Sequence, residues 1–145
     1  MEKANEGPHY LRTIIATVAA CAVFAVPAPA HDGHAETVMP KFGQAIPNIL
    51  GKSLVVLEVD YPAGAASRPH KHAESAFIFA YVLEGAIESK VNDGETRVFH
   101  AGESWSEPPG ATHGVSRNAS RSAPARLLAV FVVDTDDKAL TTPLK

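Results

Sequence analysis

Three histidines carry the most specific chemistry in this sequence. His70 and His72 flank Lys71 in the stretch Ser67-Arg68-Pro69-His70-Lys71-His72-Ala73-Glu74. In an extended segment alternate side chains share a face, so the two imidazoles point the same way. Two neutral imidazoles a strand repeat apart make half of a metal site. An ordinary pair of surface histidines ahead of an apolar strand is the plain alternative. A second segment, Gly102 to Asn118, offers a third imidazole at His113, just after the turn-forming run Pro108-Pro109-Gly110.

The elements that must position these residues read as short strands. Leu54 to Tyr61 is rich in β-branched residues, and Pro62-Ala63-Gly64 ends it. A loop to Pro69 leads into the His70/His72 strand. Phe77 to Leu83 is a strongly apolar strand closed by a turn at Glu84-Gly85, and Ala86 to Val91 follows. Asn92 to Glu95 is a hairpin turn in which Asp93-Gly94 tolerates positive φ. Thr96 to His100 returns, Ala101-Gly102 turns again, and Ser104 to Glu107 is a short strand before the Pro/Gly turn. Arg126 to Val133 is apolar on both faces, which suits a central strand. His100 sits on a strand outside the histidine pattern and is expected at the surface. With turn signals at regular spacing and no helix pattern after residue 30, the chain is all-β, a sandwich or barrel.

The two histidine segments together resemble the cupin family, whose motifs are G(X)5HXH(X)3–4E(X)6G and G(X)5PXG(X)2H(X)3N. Gly64, His70, His72 and Gly85 match the first; Gly102, Pro108, Gly110 and His113 match the second, with Asn118 one residue late. The resemblance spans roughly Leu54 to Val133. It implies a single-domain jelly-roll β-barrel holding one divalent transition metal (iron, manganese, nickel, copper or zinc) through His70, His72 and His113. Three protein ligands leave open positions for water, substrate or O₂. The first motif's glutamate is missing: its place falls on Ala76 or Phe77 counting from His72, and on Ile78 counting back from Gly85. The gap from His72 to Gly85 is also longer than the motif, which calls for a bulge.

Two carboxylates stand near enough in sequence to replace that glutamate, as a fourth ligand or a general base. Glu74 lies two residues past His72, on the same face if the strand is unbroken. Glu107 immediately precedes the Pro/Gly turn. A solvated surface carboxylate is the alternative for both. Phe77, Phe79, Tyr81, Trp105 and Phe131 are the candidates to line a substrate pocket, with plain core packing as the alternative. Two functions follow. One is a metal-dependent enzyme of dioxygenase type acting on a small organic substrate; some cupin dioxygenases work with three histidines alone. The other is a non-catalytic cupin that binds or senses a small molecule. Cupins commonly pair through edge strands, so the resemblance also implies a homodimer.

Composition bounds the rest. At 145 residues, 46% hydrophobic and 20% charged, the chain makes one globular domain. A net charge of −3 offers no surface for nucleic acid. Lys3 and Arg12, the apolar run Thr13 to Val26 and the small-residue site Ala28-Pro29-Ala30 read as a cleavable signal peptide, leaving a periplasmic or secreted protein beginning at His31 with no stable membrane span. An uncleaved anchor and lipidation at Cys21 are the alternatives. Cys21 is the sole cysteine, so cleavage after Ala30 removes both disulfide and thiolate chemistry. The expected organisation is a signal segment (1–30), a loop-like arm (31–51) in which His31-Asp32-Gly33-His34 is solvated or binds metal loosely, a barrel (52–135) and a charged tail (136–145).

Overall fold

The computed structural model describes residues 35–145. The signal segment, Cys21 and the His31/His34 pair lie outside the described residues.

Ten strands form two five-stranded antiparallel sheets, and no helix occurs among the described residues. None of the described residues forms a helix long and apolar enough to cross a membrane. In chain order the strands are β1 (Thr37–Ala45), β2 (Lys52–Tyr61), β3 (His70–His72), β4 (Phe77–Glu84), β5 (Ala86–Val91), β6 (Arg97–His100), β7 (Ser104–Glu107), β8 (Thr112–Asn118), β9 (Ala125–Asp134) and β10 (Thr141–Pro143). One sheet runs β1-β2-β9-β4-β7 and the other β10-β3-β8-β5-β6. The central strand β9 alternates buried and half-buried positions along its length, with Leu127, Ala129, Phe131 and Val133 in the core. From β4, Ile78, Ala80 and Val82 join them.

The stretches read from sequence as a loop-like arm and a charged tail each contain a strand. Residues 37–45 form β1, which pairs with β2 along its length despite Pro40, because the register shifts between Pro40 and Phe42. Residues 141–143 form β10, which pairs with β3 so that Thr141 opposes His72 and Pro143 opposes His70. Neither carries the apolar alternation that marks a strand in isolation; both are edges held by a partner strand.

Two bulges set the register of the site. On β4, Val82 pairs with Leu127 and Glu84 with Arg126, leaving Leu83 unmatched. This takes up the excess length between His72 and Gly85. On β8, Ser116 pairs with Ser89, Val115 with Lys90, and His113 with Val91, leaving Gly114 unmatched. That extra residue accounts for the lag of Asn118 behind the second motif. Asn118 is buried and donates through Nδ2 to the carbonyls of Tyr61, Pro62 and Ala123, tying β8 to the end of β2. Gly85 follows the first bulge with φ 69°, and a side chain there would meet the Pro124 carbonyl at 2.6 Å. In the β5–β6 turn the positive φ falls on Asn92 (51°) rather than on Asp93-Gly94; the Asn92 side chain accepts from the Thr112 N–H at 2.9 Å.

Candidate metal centre

His70 on β3 pairs in register with His113 on β8, which places the two side chains side by side on one face. His72 is two residues along β3, on that same face. One ring nitrogen from each of the three lies within 4.8 Å of the other two. The ring centroids are 4.7, 5.3 and 5.9 Å apart. His72 and His113 are buried and His70 is half-buried.

Local hydrogen bonds decide which nitrogen each ring presents. His70 Nδ1 lies 2.8 Å from the Arg68 carbonyl, which can only accept, so Nδ1 carries the proton and Nε2 keeps its lone pair. His113 Nε2 is bonded to the Ser89 hydroxyl at 2.9 Å, leaving Nδ1 to face the cluster. Both nitrogens of His72 are buried without a hydrogen-bond partner.

Glu107 closes the cluster. It is the last residue of β7 and is buried, with a relative exposure of 2%. Its Oε1 accepts from Trp105 Nε1 at 3.0 Å and lies 3.4 Å from His113 Nδ1. Its Oε2 lies 3.0 Å from His72 Nε2, close enough for an ion pair but out of hydrogen-bond alignment, so both atoms remain unsatisfied. A buried orphan acceptor beside a buried orphan imidazole is costly. Two ligands of one cation stand in this relation: bonds of about 2.1 Å at near right angles separate the donor atoms by about 3 Å without either donating to the other. The three imidazoles suit a divalent transition metal, and the Glu107 carboxylate stands beside two of them.

Glu107 also explains the gap in the first motif. In the β4–β7 pairing it stands opposite Ile78, the position at which the motif's glutamate falls when counted back from Gly85. The carboxylate reaches the same face from the neighbouring strand. Glu74 does not join it. β3 ends at His72, and the chain turns at Ala73, whose carbonyl accepts from the Ala76 N–H. The face relation is thereby broken, and Glu74 is exposed and ion-paired to Lys71.

The electrostatics favour neutral His113 and His70 and an ionised Glu107. Burial pushes His113 down from 6.5 to about 4, against the pull of Glu107, and burial lowers His70 as well. Burial alone would raise Glu107, but the close approach of His72 and His113 and the donated Trp105 N–H outweigh it and hold the carboxyl below its usual range. Acid should therefore destabilise the metal-free fold. Between pH 6.5 and about 4 the unfolded chain takes up a proton at His113 that the folded chain refuses. Stability should be flat above pH 7 and should fall by up to about 3 kcal/mol across that window. Urea melts of the chelator-treated protein at pH 7.5, 6 and 4.5 measure this; a midpoint independent of pH would contradict it.

The cluster opens into a cavity of about 480 Å³ between the two sheets. Trp105 and Phe131 line it. Phe77, Phe79 and Tyr81 do not: on β4 the inward positions are Ile78, Ala80 and Val82, and the three aromatics point to the outer face, with Phe77 and Phe79 over 40% exposed. Sequence reasoning missed Tyr61, Ser67 and Ser116 in the cavity wall. For Tyr61 a signal existed, since Glu58 and Asp60 alternate with Val59 and Tyr61 and assign the latter pair to the inside.

A cupin-domain family model matches residues 57–131. No curated protein matches the sequence. Among solved structures, the TT1209 protein from Thermus thermophilus is 28% identical, with a TM-score of 0.54 over 68% of this chain and 83% of that one. A double-stranded β-helix protein from Klebsiella pneumoniae is 15% identical, with a TM-score of 0.60 over 81% of this chain and 90% of that one. An oxalate oxidase in complex with the substrate analogue glycolate is 22% identical, with a TM-score of 0.54; the match covers 68% of this chain and 51% of the oxidase. The family match extends over both histidine motifs and the strands that bring them together, and on it the chain belongs to the cupin family.

Proposed function

We propose that this cupin holds one divalent transition metal through His70, His72, His113 and Glu107 and acts as a dioxygenase-type oxidoreductase on a small organic substrate. The observation that carries the reading is the buried, unsatisfied pair His72 Nε2 and Glu107 Oε2, 3.0 Å apart, which one cation would satisfy together. A bound divalent cation supplies Lewis acidity and open coordination positions facing the cavity. The chain's own residues do the rest. Ser89 and the Arg68 carbonyl fix the faces of His113 and His70. Trp105 holds Glu107 by Oε1 and leaves Oε2 free. Leu57, Val59, Leu127 and Phe131 keep the cavity walls apolar and limit water.

Elemental analysis of tag-free protein purified without chelator tests the proposal. We expect about one equivalent of iron, manganese, nickel or copper, with O₂ uptake on a screen of small organic substrates. Folded protein that takes up no metal from any of these salts, or from zinc, would reject it. One equivalent of metal without turnover would favour the binding or sensing reading.

We also propose export and self-association. The Ala28-Pro29-Ala30 site predicts a periplasmic or secreted form whose intact mass begins at His31; a full-length or lipidated mass would reject it. β1 is an edge strand whose other side has no strand partner among the described residues and which is exposed on nearly every residue, including Val38 and Phe42 at 49% and 47%. A nine-residue open edge is a template for a second copy. Light scattering should give a dimer mass that Phe42→Asp converts to a monomer; a monomeric wild type would refute the pairing.

A further inference from the structure

The cavity wall carries a second polar feature away from the histidines. Tyr61 Oη is bonded to Ser67 Oγ at 2.7 Å and to Ser116 Oγ at 2.8 Å. Tyr61 and Ser116 are both buried, and all three residues line the cavity that contains the histidine cluster. Three hydroxyls carry three hydrogens, and two bonds use two of them. The third has no acceptor among the described residues. Burial raises the Tyr61 phenol, so the group stays protonated and keeps this hydrogen available.

The bulge at Gly114 is what brings this chain of hydroxyls to the cavity. Without an unmatched residue, His113 and Ser116, three apart, would lie on opposite faces of β8. With Gly114 skipped, both face inward, two pairing positions or about 7 Å apart along the strand. The cavity therefore has two inward polar poles, the histidine–carboxylate cluster and the hydroxyl chain, with apolar side chains such as Val59, Leu127 and Phe131 in the wall beside them and the charged Glu36 and Arg68 also in its lining.

We propose that the Tyr61–Ser67–Ser116 chain is a ligand subsite, and that the cavity takes a small bifunctional acid: one oxygen head at the metal centre and a second carbonyl or carboxylate oxygen accepting from the hydroxyl chain. This rests on the proposed metal centre for the first head only. A donor left unpaired in this largely buried chain penalises a ligand that lacks the second acceptor, so discrimination between ligands is the property to measure.

The probes are succinate, glutarate and adipate, each against the monoacid of the same carbon number, titrated into the metal-loaded protein by calorimetry. Metal content is determined on the same sample. The expected result is a diacid bound at least about tenfold tighter than its monoacid, one well-satisfied hydrogen bond to an ionised acceptor being worth that much. The preference should vanish in Tyr61→Phe/Ser116→Ala and survive in Ser116→Thr. Arg68 lines the cavity mouth, so Arg68→Gln serves as the control. A preference lost in Arg68→Gln but kept in the double variant would overturn the subsite, as would equal or absent binding of both acid series by loaded protein. If the double variant fails to fold, Ser116→Ala alone must still reduce the preference. A sample that never loads metal would reject the metal centre instead, and the subsite would then stand or fall on the diacid preference of the metal-free protein.

Discussion

Glu107→Gln should lose the metal. The substitution keeps an amide oxygen for the Trp105 N–H and removes a buried charge whose second oxygen has no partner. If four ligands share the free energy of a protein metal site of about 10–16 kcal/mol, each is worth a few kcal/mol, so affinity should fall by on the order of 10²-fold. The wild type's rise in melting temperature on adding metal should accordingly disappear. The same geometry predicts a rescue. Ile78 and Glu107 are register partners, and both are almost fully buried. Glu107→Ile alone should abolish binding, and Ile78→Glu/Glu107→Ile should restore much of it by returning the carboxylate to β4. If Glu107→Gln binds metal like wild type in equilibrium dialysis, Glu107 is not a ligand, and failure of the exchange with both chains folded would place the requirement on β7 alone.

His113→Ala should abolish stoichiometric metal binding at micromolar concentrations. This ring contributes one of the three imidazoles, is fixed by Ser89, and has its free nitrogen turned toward Glu107. Its loss also leaves Glu107 with one fewer neighbour in a buried site, so the metal-free variant should be less stable near neutral pH by roughly 2 kcal/mol, mostly from the cavity. The acid-side decline of wild-type stability should shrink at the same time, because the group that refuses the proton is gone. His100→Ala, an exposed histidine on β6, is the matched control and should bind like wild type. Full occupancy in His113→Ala would rule out the assignment.

The histidines were legible because their spacing is fixed by two turns and a strand, all local features. Placing the carboxylate was not. Glu107 meets the cluster through the pairing of β4 with β7, a relation 29 residues apart in the chain that no local pattern encodes. Glu74 was misleading for the opposite reason: the face rule holds only while a strand continues, and β3 stops at His72. The facing of β4 was illegible because Phe77 to Leu83 contains no charged residue to break the symmetry between its two sides. On β2, where Glu58 and Asp60 supply that contrast, the inward face could be read. The bulge required by the long His72-to-Gly85 gap is present at Leu83, whereas the bulge at Gly114 had only the displaced Asn118 to announce it.

Trp105 is the sole tryptophan of the chain, and its indole N–H is bonded to Glu107. The protein therefore carries its own optical gauge of the site. Any event that draws charge from Glu107 Oε1 changes the polarity around the one dominant fluorophore. Open-shell ions such as iron, nickel, copper or manganese would quench it at this range, whereas closed-shell zinc would shift it without quenching. A single cuvette can thus separate a redox-capable occupant from a spectroscopically silent one before any substrate is known.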